Sequence, residues 1–131
     1  MIYTKSILKP RETSDGIRIS IMSRHTLNDG VTPDSRINEN SYDEWARVFA
    51  PPLKLIGDYY KRGLSWGDFE RRYKKYLSSP EISSHVRNLA SISLSENLTL
   101  LCIEDTPDFC HRRLLAEECR RIESKVEVIH K

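Results

Sequence analysis

The stretch LTLLCI at residues 98–103, followed by EDTPD at 104–108, decides the fold that we predict for this chain. A nearly continuous apolar run of strand length is typical of a strand covered on both faces, as in a parallel sheet with helices on each side. Thr106 before Pro107 predicts a helix start, because proline suits the first helical turn. The sequence therefore predicts an α/β fold: a small layered domain with a largely parallel sheet flanked by helices.

Segments on either side of this unit supply further strands. The run at 126–129 predicts a final strand after the helix, whose inward stripe includes Leu114 and Ile122. Alternation of isoleucines predicts a strand over 17–23, and residues 2–7 are rich in strand-forming side chains. Turn formers are dense over residues 25–40, which we interpret as a long loop.

Helix signals fill the middle of the chain. Ser41 with Glu44 three residues later forms a capping box, which predicts a short helix ending before Pro51. Helical spacing and capping residues predict three more helices, over about 53–62, 66–77 and 80–94. At these spacings Trp45, Trp66 and Tyr73 are expected in the core.

Composition favours one folded domain over residues 1–131. The chain has 131 residues, of which 38% are hydrophobic and 31% are charged, so it is too apolar to be disordered. Lys and Arg number 21 against 19 for Asp and Glu. A net charge of +2 is too small to indicate binding to nucleic acid or to an anionic membrane.

The cellular location is predicted from apolar runs and cysteines. No stretch reaches the roughly 18 apolar residues that would span a bilayer, and the N-terminal segment lacks the core of a signal peptide. The three cysteines are an odd number, which suits a reducing compartment. We therefore expect a cytoplasmic protein without disulfides and without a membrane partner. The sequence carries no signal for its oligomeric state.

Two segments form the candidate site, because ligands of parallel sheets collect at the carboxyl ends of the strands. The first follows the apolar strand and contains Glu104, Cys110, His111 and Arg112. The second is the end of the strand at 17–23, where arginines precede the long loop. Unpaired N–H groups at a helix start favour an anion or a thiolate, and arginine offers a planar fork for phosphate or carboxylate.

These residue types predict a site for a small anionic molecule, such as a nucleotide or a phosphorylated metabolite, in a binding protein or an enzyme. Arg18, Arg24 and Arg112 are the expected anion contacts, with Arg18 or Arg24 within roughly 10 Å of the segment 110–112. His111 would transfer protons, and Glu104 would orient His111 or act as a base. Cys110 would be an auxiliary nucleophile if its pKa is depressed.

Cysteine reactivity gives that hypothesis a testable form. At the start of a helix, beside a histidine and an arginine, Cys110 is expected to be partly accessible. It should then react faster than Cys102, which the apolar run places in the core.

Structural roles remain open for the same residues. Cys110 could be a small buried hydrophobe, His111 could bond a backbone carbonyl, and Arg112 could form an ion pair. One alternative function is a nucleic-acid accessory module that uses the loop 25–40 and a basic helix face, comprising Arg71, Arg72, Lys74 and Lys75, although that face is more simply solvated. Another is a protein-interaction domain without a catalytic site.

Several catalytic signatures are absent. Cys110 has Ala116 six residues later, where a cysteine phosphatase loop needs arginine. Neither CxxC nor HxxxH spacing occurs, and the five glycines are scattered rather than gathered in a phosphate loop. The sequence therefore predicts no metal site and identifies no cofactor.

Short groups of residues recur in an order shared with a known family. They are Asp15-Gly16-x-Arg18 running to Arg24, Asp43–Trp45, Ala50–Pro52, Trp66 with Phe69, Tyr73 and Leu77, Leu98–Cys102, and Cys110–Arg112. In these the chain resembles the domain of unknown function 488 family, and its N-terminal half resembles the YeaO-like branch. The resemblance implies an α/β domain with a pocket near the arginines, and it implies no reaction. Residues 25–30 depart from the Trp-Pro-Arg-Gly run typical of that branch.

Overall fold

A computed structural model describes residues 1–131 as one five-stranded sheet with four α-helices. The strands are β1 (Ile2–Ser6), β2 (Ile17–Ser20), β3 (Glu44–Trp45), β4 (Leu98–Cys102) and β5 (Val128–His130). Their order is β3-β2-β4-β1-β5, and every pair is parallel. The prediction of a small α/β domain with a largely parallel sheet is confirmed. As predicted, β4 lies inside the sheet, between β1 and β2, with all five residues buried.

Helices flank this sheet. They are α1 (Leu53–Arg62), α2 (Trp66–Leu77), α3 (Pro80–Ser93) and α4 (His111–Ile122). The first three were predicted from spacing and caps; the caps of α1 and α2 are present, whereas Ser79 before α3 makes no capping hydrogen bond and donates to the Tyr76 carbonyl instead. Gly63 ends α1 in the left-handed conformation with φ of 76°, and the Asp68 N–H donates to Ser65 Oγ at 3.1 Å. No helix is both long and apolar enough to cross a membrane.

Apolar side chains from both layers meet in two clusters. The larger contains Leu98 and Leu100 of β4 together with Tyr73, whose hydroxyl donates to the Phe49 carbonyl at 2.6 Å. The smaller lies at the carboxyl end of β4 and includes Cys102 and Cys110. Trp66 is only partly buried against the larger cluster. Burial of the smaller cluster places two thiols directly beneath the sheet edge where ligands are expected.

The short helix predicted at 41–49 is wrong. Glu44 and Trp45 instead form β3, pairing with Ile19 and Ser20 of β2, and a single 3₁₀ turn follows. The Trp45 indole N–H donates to the Met22 carbonyl at 2.7 Å, so this ring is held at the sheet edge rather than in the core. Pairing with β2 satisfies backbone groups that a helix would otherwise satisfy, and this tertiary contact outweighs the local capping signal.

The start predicted for α4 is also wrong by about five residues. The helix begins at His111, and Cys110 is its N-cap residue in an extended conformation, with φ −135° and ψ 137°. The Arg113 side chain donates to the carbonyls of Pro107 and Asp108 at 3.2 Å each. Side-chain donors thus satisfy the carbonyls of the turn, and the backbone there need not be helical.

Candidate functional site

A cleft of about 540 Å³ opens at the carboxyl ends of β2 and β4. Its walls come from the loop after β2, from α1 and the start of α2, and from the segment that leads into α4. Cys102, Cys110 and His111 line one part of it, and Arg24 lines another. The structure therefore brings residues from both sequence-predicted segments to one cleft.

His111 holds a fixed orientation in this cleft. Its Nε2 lies 2.8 Å from the backbone carbonyl of Ile21, and its Nδ1 lies 3.7 Å from Cys102 Sγ. A carbonyl only accepts hydrogen bonds, so Nε2 carries a proton and donates. In the neutral ring Nδ1 is then the acceptor, and it faces a thiol.

Cys102 and Cys110 differ in their tendency to ionise. A hydrogen bond from the Cys110 thiol, followed by the positive charge of Arg112, lowers the pKa of Cys102 although the residue is buried. Burial raises the pKa of Cys110 well above its ordinary value, and the neighbouring Cys102 sulfur adds to this. Cys102 is therefore the sulfur that carries negative charge more readily.

Arg112 lies behind the two sulfurs and is completely buried. Its Nη1 donates to the Glu104 carbonyl at 2.9 Å and to Cys110 Sγ at 3.3 Å. Its Nε and Nη2 have no hydrogen-bond partner, and no carboxylate pairs with the guanidinium. A buried cation without a carboxylate partner is costly, so this arrangement favours ionisation of a neighbouring thiol.

The accessible Cys110 expected from the sequence is not found. Only 2% of this residue is exposed, because it packs with Ile7, Met22 and Leu101 in the smaller apolar cluster. It also precedes α4 rather than lying within its first turn. Apolar burial outweighs the helix dipole at Cys110. Cys102 belongs to the same cluster and is 5% exposed, and what distinguishes it is the contact of its sulfur with His111 Nδ1.

Glu104 lies in the cleft but does not orient His111. Its carboxylate accepts a hydrogen bond from the Tyr60 hydroxyl at 3.0 Å. The ring nitrogens of His111 are directed at Ile21 and Cys102 instead. The expected Glu104–His111 pair is therefore replaced by a backbone contact, and Glu104 is left as an acidic group on the cleft wall.

Arg24 lies at the rim with Lys61, and both side chains line the cleft. Arg24 is exposed, and neither residue forms a salt bridge. A side chain at Gly30 would approach Arg24 Nη1 to 2.5 Å, so the guanidinium lies directly over this glycine. The rim thus offers two cations that no protein carboxylate neutralises.

Arg18 does not reach the cleft, contrary to its predicted role as an anion contact. It is 1% exposed on β2, and its guanidinium donates to Asp15 Oδ2 at 2.8 Å. It also donates to the carbonyls of Ser41 and Lys9, at 2.9 and 3.2 Å. Internal partners occupy its Nε and both Nη atoms, so we leave Arg18 out of the candidate site.

One group of side chains has the composition of a metal site. The ligand atoms of Cys102, Cys110 and His111 all lie within 4.8 Å of one another. Their spacing in the sequence gave no such signal, because they follow none of the standard motifs. The guanidinium of Arg112, 3.3 Å from Cys110 Sγ, places a fixed positive charge beside these atoms and disfavours a divalent cation.

Cys102, Lys61 and Tyr60 were missed as candidates by sequence reasoning. Cys102 ends an apolar run and was assigned to the core, yet its position as the last residue of β4 was a usable signal, because strand ends face the ligand edge. Nothing local in α1 distinguishes Tyr60 or Lys61 from other surface residues.

The basic face of α2 is largely neutralised by its own neighbours. Arg71 pairs with Asp68, Arg72 with Asp58, and Lys74 with Glu70. This is the arrangement of a solvated helix face rather than of a nucleic-acid surface.

Comparison with known proteins places the chain in a family. No curated protein and no solved structure matches it. A family model described as the "Active DUF488-N3 subclade" matches residues 2–121, which include the whole cleft. The chain therefore belongs to the domain of unknown function 488 family.

Proposed function

We propose that this protein binds a small anionic molecule of about nucleotide size in the cleft between β2, β4 and α1. The volume of about 540 Å³ lies in the range of small-molecule sites. The observation that carries the proposal is the pair of unpaired cations, Arg24 and Lys61, at the rim. An anion held there would gain charge-assisted hydrogen bonds without displacing a protein carboxylate.

Aromatic side chains suit a ligand that also carries a planar ring. Trp66 and Phe109 line the cleft, and their ring centroids lie 5.6 Å apart in an edge-to-face arrangement. Phe109 is 61% exposed, so its ring is available to a ligand in the cleft. A nucleotide or an aromatic phosphorylated metabolite would cover it while its phosphate faces the rim.

Two acidic groups also line the cleft, and their partners limit their effect. The Asp29 carboxylate accepts hydrogen bonds from the Thr32 hydroxyl and from the N–H groups of Val31 and Thr32. The Glu104 carboxylate accepts one from Tyr60. These carboxylates thus have hydrogen-bond partners within the protein, whereas Arg24 and Lys61 have no salt-bridge partner.

Ligand screening with matched variants tests the proposal. Nucleoside phosphates and sugar phosphates are added to the full chain, and the change in Tm and the Kd are measured beside the uncharged nucleosides. An anionic compound should bind, and Arg24→Ala should weaken its binding about tenfold or more, since a charge-assisted hydrogen bond is lost. Arg71→Ala is the control, because Arg71 is exposed and lies on α2 away from the cleft lining. Binding that is equal for charged and uncharged compounds, or unchanged in Arg24→Ala, would contradict the proposal.

A further inference from the structure

The floor of the cleft carries a thiol, an imidazole and a backbone carbonyl in a line. Cys102 Sγ lies 3.7 Å from His111 Nδ1, and His111 Nε2 donates to the Ile21 carbonyl at 2.8 Å. We infer that Cys102 is the nucleophile of a covalent reaction, with His111 as its base and Arg112 as the buried countercharge. The identity of the substrate in this inference rests on the proposed function. The reactivity of the Cys102 thiol does not depend on it.

The orientation of His111 supports this role. The Ile21 carbonyl can bind the ring only through a protonated Nε2, so the basic nitrogen is Nδ1, the one that faces sulfur. A nucleophile, a base and a group that orients the base are the three parts of an activated nucleophile. Here the third part is backbone rather than a carboxylate.

The charge of Arg112 supports it independently. Lys5 and Arg18, the other fully buried cations, both contact the Asp15 carboxylate. Arg112 contacts no carboxylate, and two of its nitrogens have no hydrogen-bond partner. Its Nη1 contacts Cys110 Sγ at 3.3 Å, and its positive charge also acts on Cys102. A thiolate therefore supplies a counterion for this guanidinium, which has no carboxylate partner.

Cys102 is the better candidate of the three cysteines. Cys110 accepts from Arg112 Nη1, and the neighbouring Cys110 thiol lowers the pKa of Cys102. Cys119 lies in the large core cluster, where burial raises its pKa to about 12. Cys102 lines the cleft, its sulfur lies 3.7 Å from His111 Nδ1, and its pKa is lowered where that of Cys110 is raised.

The reaction class follows from these positions. His111 Nδ1 takes the thiol proton, and the Cys102 sulfur attacks an electrophilic carbon of the substrate, forming an S–C bond. The bond to the leaving group breaks, and the leaving group takes the electron pair together with the proton from His111. Water then attacks the same carbon and releases the product, and the proton it loses returns to sulfur. The substrate is thus an anionic molecule with a leaving group on an electrophilic carbon.

Titratable and charged groups face Cys102 from several elements. His111 and Arg112 belong to α4, Cys110 precedes that helix, and Tyr60 and Tyr73 belong to α1 and α2. Of these, His111 is the group whose ring nitrogen contacts the Cys102 sulfur, at 3.7 Å. Removing it should therefore change the pH profile of the thiol more than removing any neighbour.

Alkylation of the full chain measures this directly. The protein is treated with iodoacetamide between pH 5 and 9 in the presence of a chelator, and each cysteine is followed by peptide mass spectrometry. Cys102 should be alkylated first, at least about tenfold faster at pH 7 than Cys110 and Cys119. In His111→Gln the rate at Cys102 should fall about tenfold, and its pH midpoint should rise. His85→Gln is the control, because His85 is exposed on α3 away from the cleft.

Three results would overturn the inference: Cys110 or Cys119 reacts first, Cys102 is no faster than in unfolded protein, or His111→Gln leaves its rate unchanged. Zinc found in the purified protein, with labelling that starts only after chelation, would also overturn it in favour of a metal site. If His111→Gln does not fold, Cys110→Ala replaces it, and the loss of the hydrogen bond to Cys102 should slow labelling severalfold. Because alkylation needs no anionic ligand, these results are independent of the ligand screen.

Discussion

Arg18 and Arg112 are both completely buried, yet their hydrogen-bond and charge partners differ. Arg18 donates from Nε and from both Nη atoms, and it shares the Asp15 carboxylate with Lys5. Arg112 donates only from Nη1, to a carbonyl and to a sulfur. A buried cation whose charge and N–H groups are satisfied stabilises the fold. A buried cation that has no carboxylate partner and lies beside two thiols and a cleft indicates a functional site.

The same contrast explains the Asp15-Gly16-x-Arg18 motif, one of the groups of residues on which the family resemblance rests. Asp15 accepts from Arg18, Lys5 and the Glu12 N–H, and its own carbonyl accepts from the Thr99 hydroxyl at 2.7 Å. Gly16 has a φ of 62°, and a Cβ there would collide with the Asn97 carbonyl oxygen. The motif therefore builds the corner between β2 and β4, and the chemistry lies at the opposite ends of these strands.

The largest expected effect on stability comes from removing Arg18, the buried cation whose charge and hydrogen bonds are satisfied. Arg18→Met should lower the free energy of unfolding by about 3 kcal/mol, because it removes a buried partner of Asp15 and the hydrogen bonds to the Ser41 and Lys9 carbonyls. Urea unfolding measures the loss, and alkylation of Cys102 in the folded protein should be unchanged. Arg11→Met is the matched control: its pair with Asp43 is exposed, so the cost should stay below about 1 kcal/mol. Equal costs for the two variants would show that the Asp15 corner is not a special source of stability.

Acid should act on the same corner with a smaller effect. Burial opposes ionisation of Asp15, but the Glu12 N–H, Arg18 and Lys5 outweigh it and hold its pKa at about 2, below the ordinary 3.8. A carboxyl whose pKa is depressed by folding stabilises the protein above its unfolded pKa, and that contribution is lost as pH falls from about 4 to about 2. It amounts to about 2 kcal/mol.

Unfolding free energies of the wild type and of Asp15→Asn, measured between pH 5 and 2, check this prediction. The variant should be less stable at pH 5, and the gap should narrow by about 2 kcal/mol as the pH falls. Parallel curves would show that another carboxyl governs acid stability. Asp58 and Asp34 are the alternatives, since Arg62 and Arg72 hold the pKa of Asp58 well below its ordinary value and Arg36 holds that of Asp34 at about 2.

The smallest effect on stability is expected from removing Arg112, the buried cation without a carboxylate partner. This variant gives the sharpest contrast with Arg18→Met. Arg112→Met removes two hydrogen bonds but also a buried charge that has no carboxylate, so the cost should stay below about 2 kcal/mol. Alkylation of Cys102 at pH 7 should nevertheless fall severalfold, because the thiolate loses its countercharge. A cost as large as that of Arg18→Met, with unchanged alkylation, would make Arg112 a structural residue like Arg18.

Sequence reasoning succeeded where local signals decide the outcome. The apolar run at 98–103 became the buried β4, and capping residues marked α1, α2 and α3 close to their observed ends. It failed at Glu44 and Trp45, where pairing with β2 prevailed over a capping box. For the site, it selected Arg24, Cys110 and His111, which share the cleft. It also selected Arg18, because an arginine at a strand end looks the same whether or not a carboxylate lies beside it.

By itself the sequence determined the fold class, most helix ends and the two segments that supply the cleft, since each depends on periodicity, caps or turn formers within a few residues. Only the tertiary structure decided which thiol carries the chemistry. Cys102, His111 and the Ile21 carbonyl meet across 90 residues of chain, and that contact selects the protonated ring nitrogen. The packed structure also decides that Arg112 has no carboxylate partner, whereas Arg18 forms an ion pair with Asp15. Both decisions depend on burial, which alters charges and hydrogen bonds through neighbours that are distant in sequence.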